Sequence, residues 1–216
     1  MAFKQFNCPS CGAELQLQYR FSQMVVCPFC DQTSHLSGEG LLAQGEKIKL
    51  ADYGSKFFTG ATGTIFNTNF RVFGRLRLEY PDGFWDEWLI RLENDPEKEY
   101  WLQEDEGEYI LFEKSDKLPD NSNFDKTNVG DRINFESYQI FISEKNNAKI
   151  IGGEGELPHR IKPGEQCDFI DGIIIGKAIP TSLEFMPDNK TAFYYSIKPV
   201  TLNDFKFTPK PENPYM

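Results

Sequence analysis

Two short cysteine pairs constrain this chain more than any other feature. Cys8-Pro9-Ser10-Cys11 is followed, after fifteen intervening residues, by Cys27-Pro28-Phe29-Cys30. A CxxC on a tight turn presents two thiolates to one side. Two such turns facing each other make a tetrahedron of sulfur, the arrangement of a closed structural zinc site. The spacing therefore predicts that Cys8, Cys11, Cys27 and Cys30 ligate one Zn2+ in a ribbon over residues 1–40. Gly12 follows the first pair, where a knuckle turn favours a residue that tolerates positive φ. Leu15 and Leu17 alternate with Gln16 and Gln18 as a short strand, and Met24-Val25-Val26 runs into the second pair as another. A unit this small buries little core, so metal binding supplies its folding free energy, on the order of 10 kcal/mol. His35, five positions after Cys30, offers a further ligand, but four thiolates already complete the shell.

The 216 residues suffice for one good-sized domain beside the ribbon, and 39% hydrophobic with 14% aromatic content supports a packed core. The formal net charge is −10. Residues 1–40 hold two basic side chains against three acidic ones, and the remainder holds 21 against 30. Both parts repel a phosphate backbone, which excludes nucleic acid as the expected partner and disfavours anionic lipid. Met1 to Asn7 shows no apolar signal region, and the apolar run at Ile173–Ile175 is far too short to cross a bilayer. Cys167 is the one cysteine outside the two pairs. Thiols without a disulfide framework fit a reducing compartment, so the expected location is the cytoplasm, with no direct membrane insertion.

Ser37-Gly38-Glu39-Gly40 is small and polar and reads as a hinge to a larger domain over residues 45–207, with a proline-rich flexible tail over 208–216. In that domain Phe70, Val72, Leu76, Leu78 and Tyr80 define one apolar face of a strand, and Arg71, Arg75, Arg77 and Glu79 the other. Pro81-Asp82-Gly83 turns it into a second strand over Trp85–Leu92. Further arms follow at Tyr100–Gln103 and Tyr109–Phe112, then at Ala148–Ile151, Phe169–Ile175, Ser182–Phe185 and Phe193–Ile197. Tyr138-Gln139-Ile140-Phe141 repeats the scheme of Phe70-Arg71-Val72-Phe73 at a distance of 68 residues, which suggests a duplicated meander. The expected fold is mainly β: a small zinc ribbon followed by a larger antiparallel domain, sandwich or barrel-like.

Several residues invite a chemical reading. Cys167 with His159 upstream and Asp168 or Asp171 nearby has the composition of a nucleophile and its base. The flanking acids, however, would raise the thiol's pKa, so a packed strand cysteine is expected and no catalytic residue is assigned. Asp82, Asp86 and Glu87, with Glu104, Asp105 and Glu106, form two acidic clusters that read as solvated turns. Arg71, Arg75 and Arg77 are expected to pair across strands with Asp86, Glu93 or other acids. Trp85, Trp88 and Trp101 concentrate in one meander. Trp85 and Trp88 have opposite parity, so one of them is expected to face away from the core and contribute to a binding face.

The segment Phe70–Leu92, with Tyr100-Trp101-Leu102 and Gly107-Glu108-Tyr109 after it, resembles the bacterial family called domain of unknown function 4178. Gly155-Glu156-Leu157-Pro158 resembles a later motif of that family, with His159 where tryptophan is usual. Ser182-Leu183-Glu184 and Phe193-Tyr194-Tyr195 resemble its closing segments. The resemblance runs in pieces over about residues 45–205 and implies a β-rich domain with no assigned catalytic residues. Such genes stand beside polyamine-synthesis enzymes, small multi-pass membrane proteins and membrane-stress proteins, which implies a membrane-stress or polyamine-linked setting. The sequence thus leads to a non-enzymatic binding or adaptor module that recognises a protein partner, itself membrane-associated. The alternative is a protein that binds, or an enzyme that acts on, a cationic small molecule such as a polyamine, with acids and aromatics as cage walls.

Overall fold

A computed structural model of the chain describes residues 4–45, 47–187 and 190–209. Most of the segment read as a flexible tail, 210–216, lies outside the described residues. The N-terminal part forms β1 (Lys4–Asn7), β2 (Glu14–Leu17), β3 (Met24–Val26), β4 (Thr33–Ser37) and β5 (Gly40–Ala43). Then come β6 (Thr62–Ile65), β7 (Thr68–Tyr80), β8 (Gly83–Leu92), β9 (Tyr100–Asp105) and β10 (Glu108–Lys114). The second half supplies β11 (Arg132–Phe135), β12 (Tyr138–Leu157), β13 (Gln166–Ile174), β14 (Ile179–Phe185) and β15 (Thr191–Pro199). A 3₁₀ turn at Leu202–Asp204 leads to β16 (Lys206–Phe207).

The strand order answers the choice between sandwich and barrel. β7, β8, β9, β10, β15, β14, β13 and β12 are hydrogen-bonded neighbours in that order, and β12 pairs again with β7. Eight antiparallel strands thus close into a barrel, which removes the open edges a flat sheet would expose. The closing strand is β12. Its first part, Ile140–Lys149, pairs with β13, and its second, Lys149–Gly155, pairs with β7. The crossing with β7 is tight. A Cβ on Gly74 would lie 2.3 Å from the Glu156 carbonyl oxygen. Gly155 has φ +68, and a Cβ there would lie 2.2 Å from the Phe73 carbonyl oxygen.

The two halves repeat each other at a spacing of 70 residues. The Gly60 N–H donates to the Val72 carbonyl as Gly130 does to Ile142, both at 2.9 Å. The Val72 N–H donates to Ala61 as Ile142 does to Asp131. A bulge lies between Val72 and Gly74 in one half and between Ile142 and Glu144 in the other. The repeat expected from the sequence is present, but the tetrapeptide matching Tyr138–Phe141 is Thr68–Arg71, not Phe70–Phe73. A period-two pattern looks the same when slid by two residues, so composition could not fix the register.

The bulges also correct the reading of β7. Phe70 and Val72 pack in one core cluster with Trp88, Ile90 and Phe57, whereas Leu76 and Leu78 pack in another with Trp85, Trp101 and Phe169. The extra residue flips the side-chain alternation, so the apolar face that seemed continuous passes from the outside of the barrel to its inside. The outer face of the first half is covered by the segment around Phe57 and by β16, whose Lys206 pairs with Thr64. The outer face of the second half buries Phe135, Ile140, Ile142, Ile170 and Leu183.

The ribbon is joined to this barrel by more than a linker. In β3, Val25 pairs with Glu156 and Met24 with Leu157 at the end of β12. Tyr19 and Met24 belong to the cluster that fills the barrel interior. The Glu156 carboxylate accepts hydrogen bonds from the backbone N–H of Gln18 and Tyr19, both at 2.9 Å, and from the Ser22 hydroxyl at 2.6 Å. Ser37–Gly40 is not a hinge: Ser37 and Gly40 face each other across the tight turn of the β4–β5 hairpin.

Candidate functional site

Two arrangements gather chemistry. The first is the cysteine cluster. Backbone bonds from Gly12 to the Cys8 carbonyl and from Asp31 to the Cys27 carbonyl, both at 2.9 Å, fold each CxxC into the same knuckle. Gly12 (φ 77) and Asp31 (φ 56) both take the left-handed conformation that such a turn requires. The sulfurs of Cys8 and Cys30 are 3.7 Å apart and those of Cys11 and Cys27 are 3.8 Å apart. All four ligand atoms lie within 4.8 Å of one another, and none is in a disulfide. An ion bound tetrahedrally at about 2.3 Å from each sulfur sets an edge of about 3.8 Å, so the donor set fits a metal ion. Accepting a backbone hydrogen bond from Gln32 pulls the Cys30 thiol down to about 7, whereas burial pushes Cys27 up to about 12, so without an ion the four thiols do not all ionise at neutral pH. His35 belongs to β4, opposite Met24, and is not part of this group.

The second arrangement is the barrel lumen, a cavity of about 200 Å³ to which all eight barrel strands contribute side chains. Its aromatic wall comes from Tyr80, Trp85, Trp101, Phe112, Phe169 and Tyr194. Its polar wall is acidic: Glu87 from β8, Asp105 from β9, Glu144 from β12, Asp171 from β13 and Glu184 from β14. Strand register explains the convergence. Glu87 is the next inward position after Trp85, Glu144 lies opposite Asp171, and Asp171 lies opposite Ser182, itself opposite Tyr194. Among the described residues, no lysine, arginine or histidine lines the cavity.

Four of these acids, Glu87, Asp105, Asp171 and Glu184, are placed where burial raises their proton affinity, whereas Glu144 is exposed at the rim. Burial pushes Glu87 up to about 7, although a 2.9 Å hydrogen bond from the Trp85 indole pulls the other way. Burial likewise brings Asp171 to about 7, partly offset by a hydrogen bond from Ser182. Burial, then the charges of Glu87 and Asp171, hold Glu184 well above the carboxylate range. One oxygen each of Asp105 and Asp171 is buried with no hydrogen-bond partner. Cys167 also faces the lumen, its sulfur 3.7 Å from the Met186 sulfur, and burial followed by the Glu184 and Glu87 charges drives its thiol upward.

The candidates read from the sequence are redistributed. His159 does not meet Cys167. It sits 3.6 Å from Glu99 and lines a larger outer groove with Lys114 and Phe21. Burial alone would raise Glu99, yet His159, Lys114 and the Trp101 indole bring it down to about 2. The acidic clusters are not solvated turns. Only Asp82 and Glu106 of the six are exposed. Asp86 is buried on the outside of the barrel, where Arg77 donates two hydrogen bonds to it at 2.8 and 2.6 Å, with Arg75 at 3.4 Å. Glu104 accepts from the Trp88 indole, from Tyr109 and from Ser55. The pairing expected for Arg75 and Arg77 is therefore present.

The tryptophans provide no exposed face, since Trp85, Trp88 and Trp101 are 8%, 1% and 5% exposed. Trp88 does point away from the lumen, but Phe57 and Arg75 cover it. Sequence reasoning missed the acidic lumen, Glu87 above all. The signal available was its shared parity with Trp85. It could not be used without knowing that the sheet closes and that β7 and β12 each change face at a bulge.

Among the described residues, no helix is long and apolar enough to cross a membrane. Comparison with protein-family models finds a match over residues 59–173, described as a domain of unknown function (DUF4178). No curated protein and no solved structure matches the chain. The matched segment runs from just before β6 nearly to the end of β13 and includes Glu87, Asp105, Glu144 and Asp171, while the four clustered cysteines precede it. It spans more than half of the sequence, and on that ground the chain belongs to the DUF4178 family.

Proposed function

We propose that this protein is a cytoplasmic binding barrel whose lumen takes a small organic cation of the ammonium class, a polyamine foremost, while the cysteine cluster holds one structural zinc ion. The observation that carries the reading is the lumen itself: five carboxylates and six aromatic rings face a cavity lined, among the described residues, by no cationic side chain. Aromatic faces and carboxylates together recognise ammonium groups, the rings through their quadrupole and the acids through charge. A volume of about 200 Å³ suits a slender ligand. The lumen carboxylates are too dispersed to hold one metal ion, since the cysteines are the metal-competent group found among the described residues. The separation of His159 from Cys167 favours binding over nucleophilic catalysis. Two sulfur pairs at the tetrahedral-edge distance, with all four sulfurs within 4.8 Å of one another, favour zinc, and unbridged thiols favour a reducing compartment.

The test is a thermal-shift titration with spermidine. Ligand in excess should raise the midpoint. Trp85→Ala should abolish most of the rise and Glu87→Gln should reduce it, both keeping the β-sheet circular dichroism. Asp86, tied to Arg75 and Arg77 on the outside, is not part of this site.

A second reading, recognition of a membrane-associated protein partner, is favoured by one surface feature. Phe141, Ile173 and Ile175 are exposed together, and Phe141 pairs across strands with Ile173 where the first half has Arg71 opposite Arg91. Affinity capture that recovers the same partner with the wild type and with Phe141→Glu would remove that patch from consideration.

A further inference from the structure

We propose that the lumen exchanges protons for its ligand: the cation enters as lumen carboxylates lose protons, so that binding tightens as pH rises. The inference rests on the cation-binding reading above and adds what regulates it. An ionised carboxylate enclosed by protein and lacking a positive partner is strongly disfavoured, and the group takes a proton instead. That is the situation of the ligand-free lumen.

The groups facing Glu87 from each strand of the barrel are Tyr80 on β7, Asp105 on β9, Glu144 on β12, Asp171 and Cys167 on β13, Glu184 on β14 and Tyr194 on β15. The inward residue of β10 is Phe112, which does not titrate. Every one of these groups is neutral or negative. Lys114 and Glu99 act on Glu184 with opposite signs, and both line the outer groove. Within the lumen, the hydrogen bonds from the Trp85 indole to Glu87 and from Ser182 to Asp171 stabilise an anion without neutralising it. The unpartnered oxygen of Asp171 marks where a donor is missing.

An entering ammonium supplies that donor and the counter-charge, and it lowers the proton affinity of the acids around it. The balance is simple: the cation moves from water into the lumen, and protons move from carboxyl groups to solvent buffer. No covalent bond other than O–H is broken. Glu87 and Asp171, both held at about 7, set the range in which the exchange is steepest. Below that range both are protonated in the empty barrel, and each must release its proton to pair with the ligand. Above it they are already ionised, and less release is needed. A primary alkylammonium keeps its own proton up to about pH 10, so the ligand does not titrate in the same window.

The experiment is calorimetric titration of the full-length, metal-loaded chain with spermidine at pH 6.5, in phosphate and in Tris, repeated at pH 6 and pH 8. The expected result is an apparent enthalpy that differs between the buffers in the sense of proton release, with affinity rising about fivefold or more from pH 6 to pH 8. Glu87→Gln and Asp171→Asn should each reduce the buffer difference. Saturable binding with the same enthalpy in both buffers and no pH dependence overturns the exchange and leaves the cation site standing. No binding by folded protein at any pH overturns both.

Discussion

At the residue scale, Glu87 is the side chain on which sequence and structure disagree most usefully. Between Asp86 and Trp88 it looks like part of a solvated acidic turn. Yet Asp86 is clamped by two arginines outside the barrel and Glu87 faces the lumen. The sign of its effect on stability follows from the raised pKa. Its folded-state value of about 7 exceeds the ordinary carboxyl value, so its contribution is fully present in acid and is lost as pH rises from about 4.5 through about 7. Glu87→Gln should therefore stabilise the ligand-free protein at pH 8, by up to about 3 kcal/mol, and change little at pH 4.5. Urea unfolding at the two pH values measures this. Equal effects at both would mean that Glu87 is not held protonated. Gly155 makes a second residue-scale case, because its positive φ coincides with a contact that leaves no space for a methyl group. Gly155→Ala should cost roughly 2–4 kcal/mol in the same assay.

At the scale of elements, β12 organises the molecule. It pairs with β11 and β13 at its start, with β7 beyond its middle and with β3 at its end. The Glu156 carboxylate near that end receives two backbone amides and a hydroxyl from the ribbon loop. Glu156→Gln keeps the shape but loses the charge-assisted bonds, a change of roughly 1–3 kcal/mol. Hydrogen exchange should quicken at the Gln18 and Tyr19 amides while the β13–β14 ladder keeps its protection. Uniform quickening would refute a local clamp.

What the sequence revealed and what it hid divide along the same lines. The CxxC knuckles, the strand-rich meanders and the duplication follow from local patterns of spacing and alternation. The closure of β7 on β12 does not, because no local pattern records which distant edges meet. The lumen was hidden for that reason and for one more. The bulges at Val72/Gly74 and Ile142/Glu144 exchange inside for outside within a strand, so parity counted from Phe70 or Ile140 assigns the wrong face beyond them. Trp88 misleads similarly, since its outward parity is real but Phe57 covers it.

At the scale of the whole molecule, ribbon and barrel share β-pairing and core. Tyr19 and Met24 pack among barrel residues, so the cysteine cluster supports more than its own knuckles. Cys27→Ser should abolish metal binding and protection in β3–β5. It should leave the barrel's circular dichroism largely intact and lower its melting temperature by about 5 °C, in keeping with the loss of one or two kcal/mol of shared packing. Elemental analysis of the wild type should give one zinc per chain. Unchanged metal content in Cys27→Ser would contradict the ligand assignment.

The proposed cation binding rests on the acid-lined interior, and direct binding tests that most simply. Spermidine should bind the wild-type chain at pH 8 saturably and with one equivalent, measured by calorimetry. The Glu87→Gln/Glu184→Gln double variant, folded by circular dichroism, should bind about tenfold more weakly or worse, a loss of roughly 1.4 kcal/mol or more. No saturable binding to the folded wild type, or equal affinity in the double variant, would contradict the account.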